Sequence, residues 1–216
     1  MPPRQRASAD RVTVGDLVDA VAQLIDSGGV EAVTMRGLAR QCGVGVTTLY
    51  GYVRTKDELL GLYADRLLGE IDVPDAAHLR WDEQIAAIFR AVYRVLVEHP
   101  ELALIVGTQP VPGAAAQRLF QQVLRALAQI GLDDRQIRTA YEVLAAYTTG
   151  FVQQQAARQA RVPGLADLLA GVRAGDQEAH PVGGPGGDGS VDQESAFGAG
   201  LAVVLAGLSV QSGVSG

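Results

Sequence analysis

The side chains whose types and spacing suggest chemistry lie within one short stretch, residues 34–56. They are mostly hydroxyl, phenol and cationic groups, which can donate hydrogen bonds to phosphate oxygens, while their methyl groups can contact the edges of bases. The set is Thr34, Arg36, Val46, Thr47, Thr48, Tyr50, Tyr52 and Lys56. No serine or cysteine nucleophile motif and no acid–base pair stands out elsewhere, so the pattern favours binding over catalysis.

The residues around these side chains predict two short helices joined by a tight turn. Gly43 is placed to end the first helix, because glycine adopts the left-handed conformation that a sharp turn needs. Gly45 stands at the N-cap position of a second helix, predicted over Val46–Tyr52, with Leu49 and Val53 on its inner face. This layout is that of a helix-turn-helix, whose second helix enters the major groove of DNA.

The predicted second helix limits how bases could be recognised. It contains no Arg, Asn or Gln between Val46 and Tyr52, so it lacks the side chains that bind bases in a bidentate manner. We therefore expect specificity to depend on Arg36 and on DNA shape. Lys56 is the only lysine and begins the fourth helix, where the helix dipole disfavours a cation, and a phosphate opposite would offset that cost. The alternative is that Lys56 is solvated surface.

Several spaced residues between Val14 and Leu60 carry a family resemblance: Ala39, Gly43-Val44, Leu49-Tyr50, Lys56-Asp57 and Leu59-Leu60. They resemble the DNA-binding signature of the tetracycline repressor family. The sequence departs from that pattern at Gly45, where the family often has serine, and at Tyr52, where it often has histidine. The resemblance implies that Tyr50 contacts the DNA backbone. The alternative is that the Tyr50 ring only packs between helices, with its hydroxyl in water.

The rest of the chain also follows a helical pattern. Apolar residues recur at helical spacing from Trp81 to Leu208, and no stretch alternates long enough to predict a convincing strand. We therefore predict an all-α fold, with an N-terminal helix-turn-helix head of three helices and a larger helical body. The head is expected at 1–56, continuing into helix four at 55–71. The body is expected at 72–216, with a flexible, glycine-rich linker near 176–190.

Three helix starts have the spacing of a capping box or a paired cap. Thr13 and Asp16 are placed to cap the first helix, Thr55 and Glu58 the fourth, and Asp133 and Gln136 a later one. Each pair would satisfy backbone donors that the first helical turn leaves free.

Composition and charge narrow the class of protein. Apolar residues make up 48% of the 216 residues, which is enough for a core, and the single cysteine, Cys42, excludes a disulfide within one chain. The net charge is −6, but residues 1–56 carry +2 and the remainder −8, which fits a head that faces phosphate. The start of the chain lacks a secretory signal, and the apolar stretch Ala199–Val210 is too short to span a bilayer. We expect a cytoplasmic protein.

The body also resembles the C-terminal domain of the same family, chiefly at His99-Pro100 and from Phe197 to Leu208. This likeness implies that the body binds a small molecule and forms a dimer. Aromatic and polar side chains could line a mostly apolar pocket for an organic effector, for which an aromatic molecule is the best candidate, although each could equally be plain core: Phe89, Tyr93, Tyr147, Thr148 and Phe151. His78, His99 and His180 lack ligand-like spacing, so we expect neither metal nor cofactor.

These features predict a ligand-responsive transcriptional regulator, most simply a repressor that a small organic molecule releases from double-stranded operator DNA. The homodimer is expected to form through helices 133–159 and 193–210, because both are apolar beyond one stripe and the second carries small residues. The alternative for these helices is that they bury their extra faces inside one subunit. The alternative for the whole chain is a helical small-molecule-binding protein or enzyme with a vestigial DNA-binding head.

Overall fold

The computed structural model describes residues 12–73, 78–159 and 193–212, and within these ranges it contains helices and no strand. The predicted all-α fold is therefore confirmed. The helices are α1 (Val14–Ala32), α2 (Met35–Gln41), α3 (Val46–Leu49), α4 (Lys56–Gly69), α5 (Trp81–Glu98), α6 (Pro100–Thr108), α7 (Ala114–Leu127), α8 (Asp134–Gln159) and α9 (Gln193–Ser212), with a 3₁₀ turn at Ala128–Ile130. The predicted linker near 176–190, the N-terminal arm and His180 lie outside the described residues.

The helices form two compact units. The first contains the described residues of 12–70 together with 108–117, and the second contains those of 71–107 and of 118–212. In the first unit α1 packs against α2 and α4, and α2 packs against α3. The centre of that unit is apolar, and its largest fully buried side chains are Leu17, Val21, Leu38, Leu49 and Leu59. Burial of these side chains is the main source of its stability.

Helix α1 begins as the sequence predicts. The Thr13 hydroxyl accepts a hydrogen bond from the Asp16 amide at 3.2 Å, and the Asp16 carboxylate accepts one from the Thr13 amide at 2.7 Å. Hydrogen bonds from the Thr13 backbone and side chain also hold the pKa of Asp16 below its usual range. Near the other end, the helical backbone breaks at Gly28 and Gly29, where Gly29 has a φ of +71°.

The cap of α4 differs from the predicted capping box in one half. The Thr55 hydroxyl accepts a hydrogen bond from the Glu58 amide at 3.0 Å, as predicted. The Glu58 carboxylate, however, accepts from the Arg54 amide at 2.7 Å and not from the Thr55 amide. The expected reciprocal bond is therefore shifted by one residue. The hydrogen bond from the Arg54 amide to Glu58 therefore ties the turn before α4 to the first turn of that helix.

The segment 108–117, which the sequence places in the body, packs on α4 in the first unit. The Gln109 side-chain amide donates to the Asp57 carbonyl at 2.9 Å. The Asp65 carboxylate accepts from the Ala116 amide at 2.9 Å and so caps the start of α7. The loop comes so close to α4 that a β-carbon on Gly113 would lie 1.8 Å from the Asp65 carboxyl carbon. Sequence spacing could not show this contact, because it joins residues about fifty positions apart.

In the second unit, α5, α8 and α9 pack against one another. Their fully buried side chains include Ile85, Leu96, Leu144, Phe197 and Leu201. The predicted cap of α8 is confirmed, since the Asp133 and Gln136 side chains each accept a hydrogen bond from the other residue's amide, at 2.8 and 2.9 Å. Helices α5, α8 and α9 thus pack as three mutually contacting helices, and local hydrogen bonds fix the start of α8.

Apolar side chains remain exposed on α8 and α9. Val143 is 46% exposed, Val203 73% and Val210 82%, and Ala202 and Ala206 are exposed as well. The apolar stretch Ala199–Val210, expected to be too short to span a bilayer, lies within a longer helix: by length and composition alone, Gln193–Gln211 is long and apolar enough to cross a membrane, and little of it is buried. An exposed apolar face of this kind is typical of a surface that meets another protein or a membrane.

One of the glycines on α9 has a different role from the predicted one. The small residues of this helix, Gly198 and Gly200 among them, are expected to allow close approach between subunits. In the structure, a β-carbon on Gly200 would lie 2.1 Å from the Tyr147 hydroxyl oxygen, so Gly200 makes room for a side chain of the same chain. A β-carbon on Gly198 would lie 3.4 Å from the Arg90 guanidinium, which is an ordinary contact distance. A β-carbon on Gly207 would meet no described atom outside its own helix backbone within 4 Å.

Candidate nucleic-acid interface and ligand site

The turn between α2 and α3 has the geometry that the sequence predicts. Gly43 has a φ of +66°, and its amide donates to the Arg40 carbonyl at 3.2 Å. The next amide, that of Val44, reaches back to the Ala39 carbonyl at 2.9 Å. These two bonds form a Schellman motif, which closes the end of α2 and turns the chain sharply. The turn sets the direction of α3 relative to α2 within the head.

Helix α3 is shorter than predicted. Regular helix covers Val46–Leu49, whereas the sequence predicted helix as far as Tyr52. Beyond Leu49 the chain tightens, since the Gly51 amide bonds to the Thr48 carbonyl at 3.0 Å and the Tyr52 amide to the Leu49 carbonyl at 2.9 Å. These bonds span three residues, which is the 3₁₀ pattern common at helix ends. At the other end Gly45 is the N-cap, as predicted, and has no side chain to complete the cap.

The predicted inner face of α3 is confirmed, and the opposite side is exposed. Leu49 and Val53 are buried at 0% and 1% exposure, so they anchor the helix to the core. Thr47 and Thr48 are exposed, and Tyr50 is 52% exposed. Exposure of a tyrosine ring to this extent leaves its hydroxyl accessible to a partner. The two threonines and Tyr50 are thus brought onto the surface of one short element.

The remaining predicted contacts lie on the elements that flank α3. Arg36 is exposed on the first turn of α2, and Val46 and Tyr52 are half-buried. Thr34 is exposed but is also the N-cap of α2, where its hydroxyl accepts a hydrogen bond from the Gly37 amide at 3.0 Å. A hydroxyl oxygen that caps a helix in this way still has its own proton to donate.

Lys56 has a structural partner that the sequence did not reveal. Its ammonium donates a hydrogen bond to the Val30 carbonyl at 2.9 Å, and the side chain is half-buried. The Val30 carbonyl lies beyond the break in α1, so Lys56 connects the start of α4 to the end of α1. An ammonium group has three protons, and one bond to Val30 leaves two for other partners. The contact joins residues 26 positions apart, which spacing alone could not predict.

A cleft beside α1 and α2 has the wrong chemistry for phosphate. It has a volume of about 360 Å³ and is lined by Val12, Asp16, Asp19, Ala20, Gln23, Gln41 and Cys42. Two carboxylates and no cationic side chain line it, so it would repel a phosphate group. Cys42 is half-buried here. Burial, and to a smaller extent Asp16, raises the pKa of its thiol.

The residues predicted to bind a ligand are brought near one another in the second unit. Phe89, Tyr93 and Thr148 are buried, whereas Tyr147 and Phe151 are half-buried. The Thr148 hydroxyl donates to the Leu144 carbonyl in its own helix at 2.8 Å. The hydroxyl proton of Thr148 is therefore already donated within α8, so Thr148 is a weaker candidate for a ligand contact.

Three of the four aromatic members of this set, Tyr93, Tyr147 and Phe151, form a cluster with Phe197 of α9. Tyr93 stacks on Phe197 with a centroid distance of 4.2 Å, and Tyr147 stacks on it at 5.3 Å. Phe151 meets Tyr93 and Tyr147 at 5.9 Å each. The Tyr93 hydroxyl donates to the side-chain oxygen of Gln155 at 2.9 Å. Sequence reasoning missed Phe197 because it lies on another helix, whereas helical spacing from Phe151 could have found Gln155 on the same face of α8.

Within 12–73, 78–159 and 193–212, no group of three or more His, Cys, Asp or Glu side chains is arranged to hold a metal ion. The candidate binding groups in these ranges are the hydrogen-bond donors on α2 to α4 and the aromatic cluster of the second unit.

Two family models together cover most of the chain. Residues 17–62 match the model described as "Bacterial regulatory proteins, tetR family". Residues 73–212 match the model described as "Tetracyclin repressor-like, C-terminal domain". The first match covers α2 and α3 with most of α1 and half of α4, and the second covers the helices from α5 onwards.

Curated relatives and solved structures are similar to the same regions. An HTH-type transcriptional regulator of Saccharopolyspora erythraea is 31% identical over 154 residues, or 71% of this chain. The HTH-type transcriptional repressor DrrR1 of Streptomyces coeruleorubidus is 30% identical over 165 residues, or 75% of this chain. The chain spans 65% and 61% of the lengths of these two relatives. The structure of the Streptomyces coelicolor TetR family protein ActR in complex with actinorhodin superimposes with a TM-score of 0.72 at 28% identity, covering 94% of this chain and 99% of that one.

Proposed function

The chain belongs to the tetracycline repressor family, and from that premise we propose that it is a ligand-responsive transcriptional regulator that binds operator DNA. We propose further that it acts as a repressor, which a small organic molecule releases from the operator. The observation that carries the proposal is the helix-turn-helix itself, in which a Schellman turn at Gly43 directs α3 outward with Thr47, Thr48 and Tyr50 exposed. The relatives named as a regulator and a repressor support it.

The exposed side chains suggest how the contacts divide. We assign Tyr50, Thr34, Tyr52 and Lys56 to phosphate, because hydroxyl and ammonium groups hydrogen-bond to phosphate without reading sequence. We assign Arg36, Val46, Thr47 and Thr48 to bases, since arginine binds guanine and methyl groups contact thymine. Lys56 would share its protons between the Val30 carbonyl and a phosphate. In that role it would hold the head rigid and bind DNA at the same time.

Dimerisation follows from the proposed DNA recognition and from the exposed apolar surface. A helix as short as α3 buries little surface, so such heads normally bind DNA in pairs. We propose a homodimer through α8 and α9, that is, through helices 133–159 and 193–210. The support is the exposed face that contains Val143, Val203 and Val210. Burial in a dimer would also account for the apolar character of α9 without a membrane.

The division of the chain into parts remains a proposal as well. We propose a DNA-binding head at 1–56 that continues into helix four at 55–71, and a ligand-binding and dimerisation body at 72–216. ActR, to which the chain is similar, is described in complex with actinorhodin, and this supports an organic effector for the body. The proposed effector contacts are Phe89, Tyr93, Tyr147, Thr148 and Phe151. We infer that the protein is not an enzyme and acts in the cytoplasm, where the DNA is.

A gel-shift experiment tests the regulator. The full-length protein is titrated onto DNA fragments from upstream of its own gene, at moderate salt, against a shuffled fragment of equal length and composition. We expect a shift that favours the natural fragment, and we expect Tyr50→Phe to weaken it by about threefold to tenfold if the hydroxyl bonds to phosphate. Equal binding to natural and shuffled DNA would reject the regulator in favour of a vestigial head.

A further inference from the structure

The aromatic cluster of the second unit is arranged like a ligand site in which a side chain of the protein takes the place of the ligand. We call Tyr93, Tyr147, Phe151 and Phe197 the aromatic stack. The Phe197 ring lies nearly parallel to both tyrosine rings, at 8° to Tyr93 and 20° to Tyr147. Phe151 meets Phe197 edge-on, with 5.5 Å between centroids and 69° between planes. Two near-parallel aromatic faces with a flat ring against both are the arrangement that holds a planar aromatic molecule. Here that flat ring is the side chain of Phe197.

Polar atoms lie at the edges of the aromatic stack. The Tyr93 hydroxyl donates to the Gln155 side chain at 2.9 Å, and the Tyr147 hydroxyl donates to the Phe197 carbonyl at 2.8 Å. These groups could instead bind a hydroxyl or carbonyl group on the rim of a ligand, since phenol and amide groups both donate and accept. A few convergent polar groups in an apolar surround are typical of small-molecule sites.

The aromatic stack is accessible from one side. Tyr147, Phe151 and Gln155 are half-buried, and because they are four residues apart they lie along one face of α8. Tyr93 and Phe197, by contrast, are 3% and 0% exposed. Val143, part of the proposed dimer surface, continues the same row one turn before Tyr147, so the open end of the row in a dimer is at Gln155. A ligand approaching from that end would meet Phe151 first, then Tyr147, with Phe197 behind them.

The backbone of α9 is adapted to this arrangement. Gly200 leaves the space that the Tyr147 hydroxyl occupies, because a β-carbon there would lie 2.1 Å from the hydroxyl oxygen. Glycine weakens a helix relative to alanine, so the position of Tyr147 is obtained at the expense of helix propensity. The tyrosine is thereby held against the backbone of the same helix that carries Phe197.

We propose that the aromatic stack is the effector site, that the effector is a planar fused-ring aromatic molecule with a hydroxyl or carbonyl group on its rim, and that Phe197 is a plug which the effector displaces. This inference rests on the effector-binding function proposed above. Displacement of Phe197 breaks its stacking on Tyr93 and Tyr147, so it changes how α9 is held against α5 and α8. Effector binding would in this way change the packing of α9, which is part of the proposed dimer surface.

The test measures binding by calorimetry, with the full-length protein and no DNA. The probe is 2-naphthol, and its control is decahydro-2-naphthol, which has the same carbon skeleton and hydroxyl but no flat ring. We expect the wild-type protein to bind 2-naphthol at least about tenfold more tightly than the saturated control, because only the flat molecule can replace Phe197 on the tyrosine faces. Equal binding of both compounds, or no binding of 2-naphthol, would overturn the proposal.

Variants test the plug itself. Phe197→Ala should tighten 2-naphthol binding by about tenfold, because the ligand no longer competes with the ring for the open state. Phe197→Leu keeps most of the apolar volume and covers the case in which the alanine variant does not fold; it should tighten binding about threefold, since leucine stacks poorly. Leu201→Ala is the matched control, because Leu201 is equally buried on α9 but lies outside the aromatic stack. It should leave the affinity within about twofold.

The outcomes separate this proposal from the regulator function. If Phe197→Ala and Leu201→Ala tighten 2-naphthol binding equally, the effect is that of any core cavity, and the plug is rejected. If 2-naphthol does not bind but the gel shift favours the natural fragment, the aromatic site is wrong and the regulator stands. If 2-naphthol binds as expected but no sequence-dependent shift is seen, the aromatic site stands and the regulator fails.

Discussion

At the scale of single residues, two glycines in the helix-turn-helix have opposite backbone conformations. Gly43 has a φ of +66°, in the left-handed region that disfavours side chains, whereas Gly45 has a φ of −72°, which any residue can adopt. Neither is crowded: a β-carbon on Gly43 meets nothing within 4 Å, and one on Gly45 lies 3.7 Å from the Thr48 hydroxyl. Backbone conformation therefore decides what each position tolerates.

This contrast predicts opposite effects of the same substitution. Gly45→Ser should raise the free energy of unfolding by about 0.5–1 kcal/mol, because serine completes the N-cap of α3 and restricts the unfolded chain. Gly43→Ser should lower it by about 1–2 kcal/mol, because the left-handed conformation strains the side chain. Urea unfolding of both variants provides the measurement. Equal effects of the two substitutions would show that backbone conformation does not govern these positions.

Lys56 is predicted to have two separable roles. Lys56→Ala should lower the free energy of unfolding by about 1 kcal/mol, because it removes the hydrogen bond to the Val30 carbonyl. It should also weaken binding to all DNA sequences alike and reduce the slope of log affinity against log salt by about one. Urea unfolding and gel shifts at several salt concentrations measure the two effects.

Arg36→Ala serves as the comparison for Lys56, since Arg36 is exposed on α2. It should leave stability unchanged, cost about 1–3 kcal/mol on specific DNA and relax the preference at one base pair. If Lys56→Ala alters stability alone, its phosphate contact is wrong. If Arg36→Ala weakens specific and shuffled DNA equally, Arg36 contacts only phosphate.

At the scale of elements, the first unit depends on a contact between α4 and the start of α7. Asp65 of α4 caps α7 through the Ala116 amide, and Gly113 leaves the space that the carboxylate needs. A carboxylate at a helix start satisfies a backbone donor and also interacts favourably with the helix dipole. The segment 108–117 is thus held to α4 by a hydrogen bond and a close approach that each need residues from both elements.

Gly113→Ala should therefore lower the free energy of unfolding by about 1–2 kcal/mol, because the new methyl group displaces Asp65 from its cap. In an Asp65→Ala background the same change should cost little, since the cap is already absent. Gly69→Ala is the matched control: its β-carbon would lie 3.7 Å from Ala115, an ordinary contact, so it should be neutral or slightly stabilising. Additive losses in the double variant would contradict a shared cap.

At the scale of the whole molecule, the exposed face of α8 and α9 is the feature that a single chain leaves unexplained. The side chains of Val203 and Val210 are exposed, and Ala206 lies on α9 between them. Because Gly200 accommodates the Tyr147 side chain of its own subunit, we expect the contact between subunits to involve the later part of α9, around Ala202, Ala206 and Gly207.

We expect Ala206→Arg to split the dimer, because it places a charge in an apolar interface, while circular dichroism shows unchanged helix content. Tight operator binding should be lost with it, since a single head contacts only one half-site. Gln121→Arg is the control, as Gln121 is exposed on α7, and it should leave the dimer intact. Light scattering gives the mass, and an Ala206→Arg protein that remains a dimer would place the interface elsewhere.

The sequence by itself determined the features that depend on local geometry. The helix periodicity, the turn at Gly43, the caps at Thr13 and Asp133 and the inward faces of Leu49 and Val53 all follow from residues within a few positions of one another. Local hydrogen bonds and side-chain spacing are encoded in such short windows, so the all-α fold and the helix-turn-helix could be predicted.

Only the tertiary structure decided the contacts between distant residues. Lys56 on Val30, Asp65 on Ala116, Tyr147 against Gly200 and the stacking of Phe197 on Tyr93 join parts of the chain that no pattern of spacing relates. Helix periodicity tells which face is apolar, but not which side chain on another helix will meet it. The partner is chosen when helices pack, because close packing allows few arrangements of neighbouring side chains.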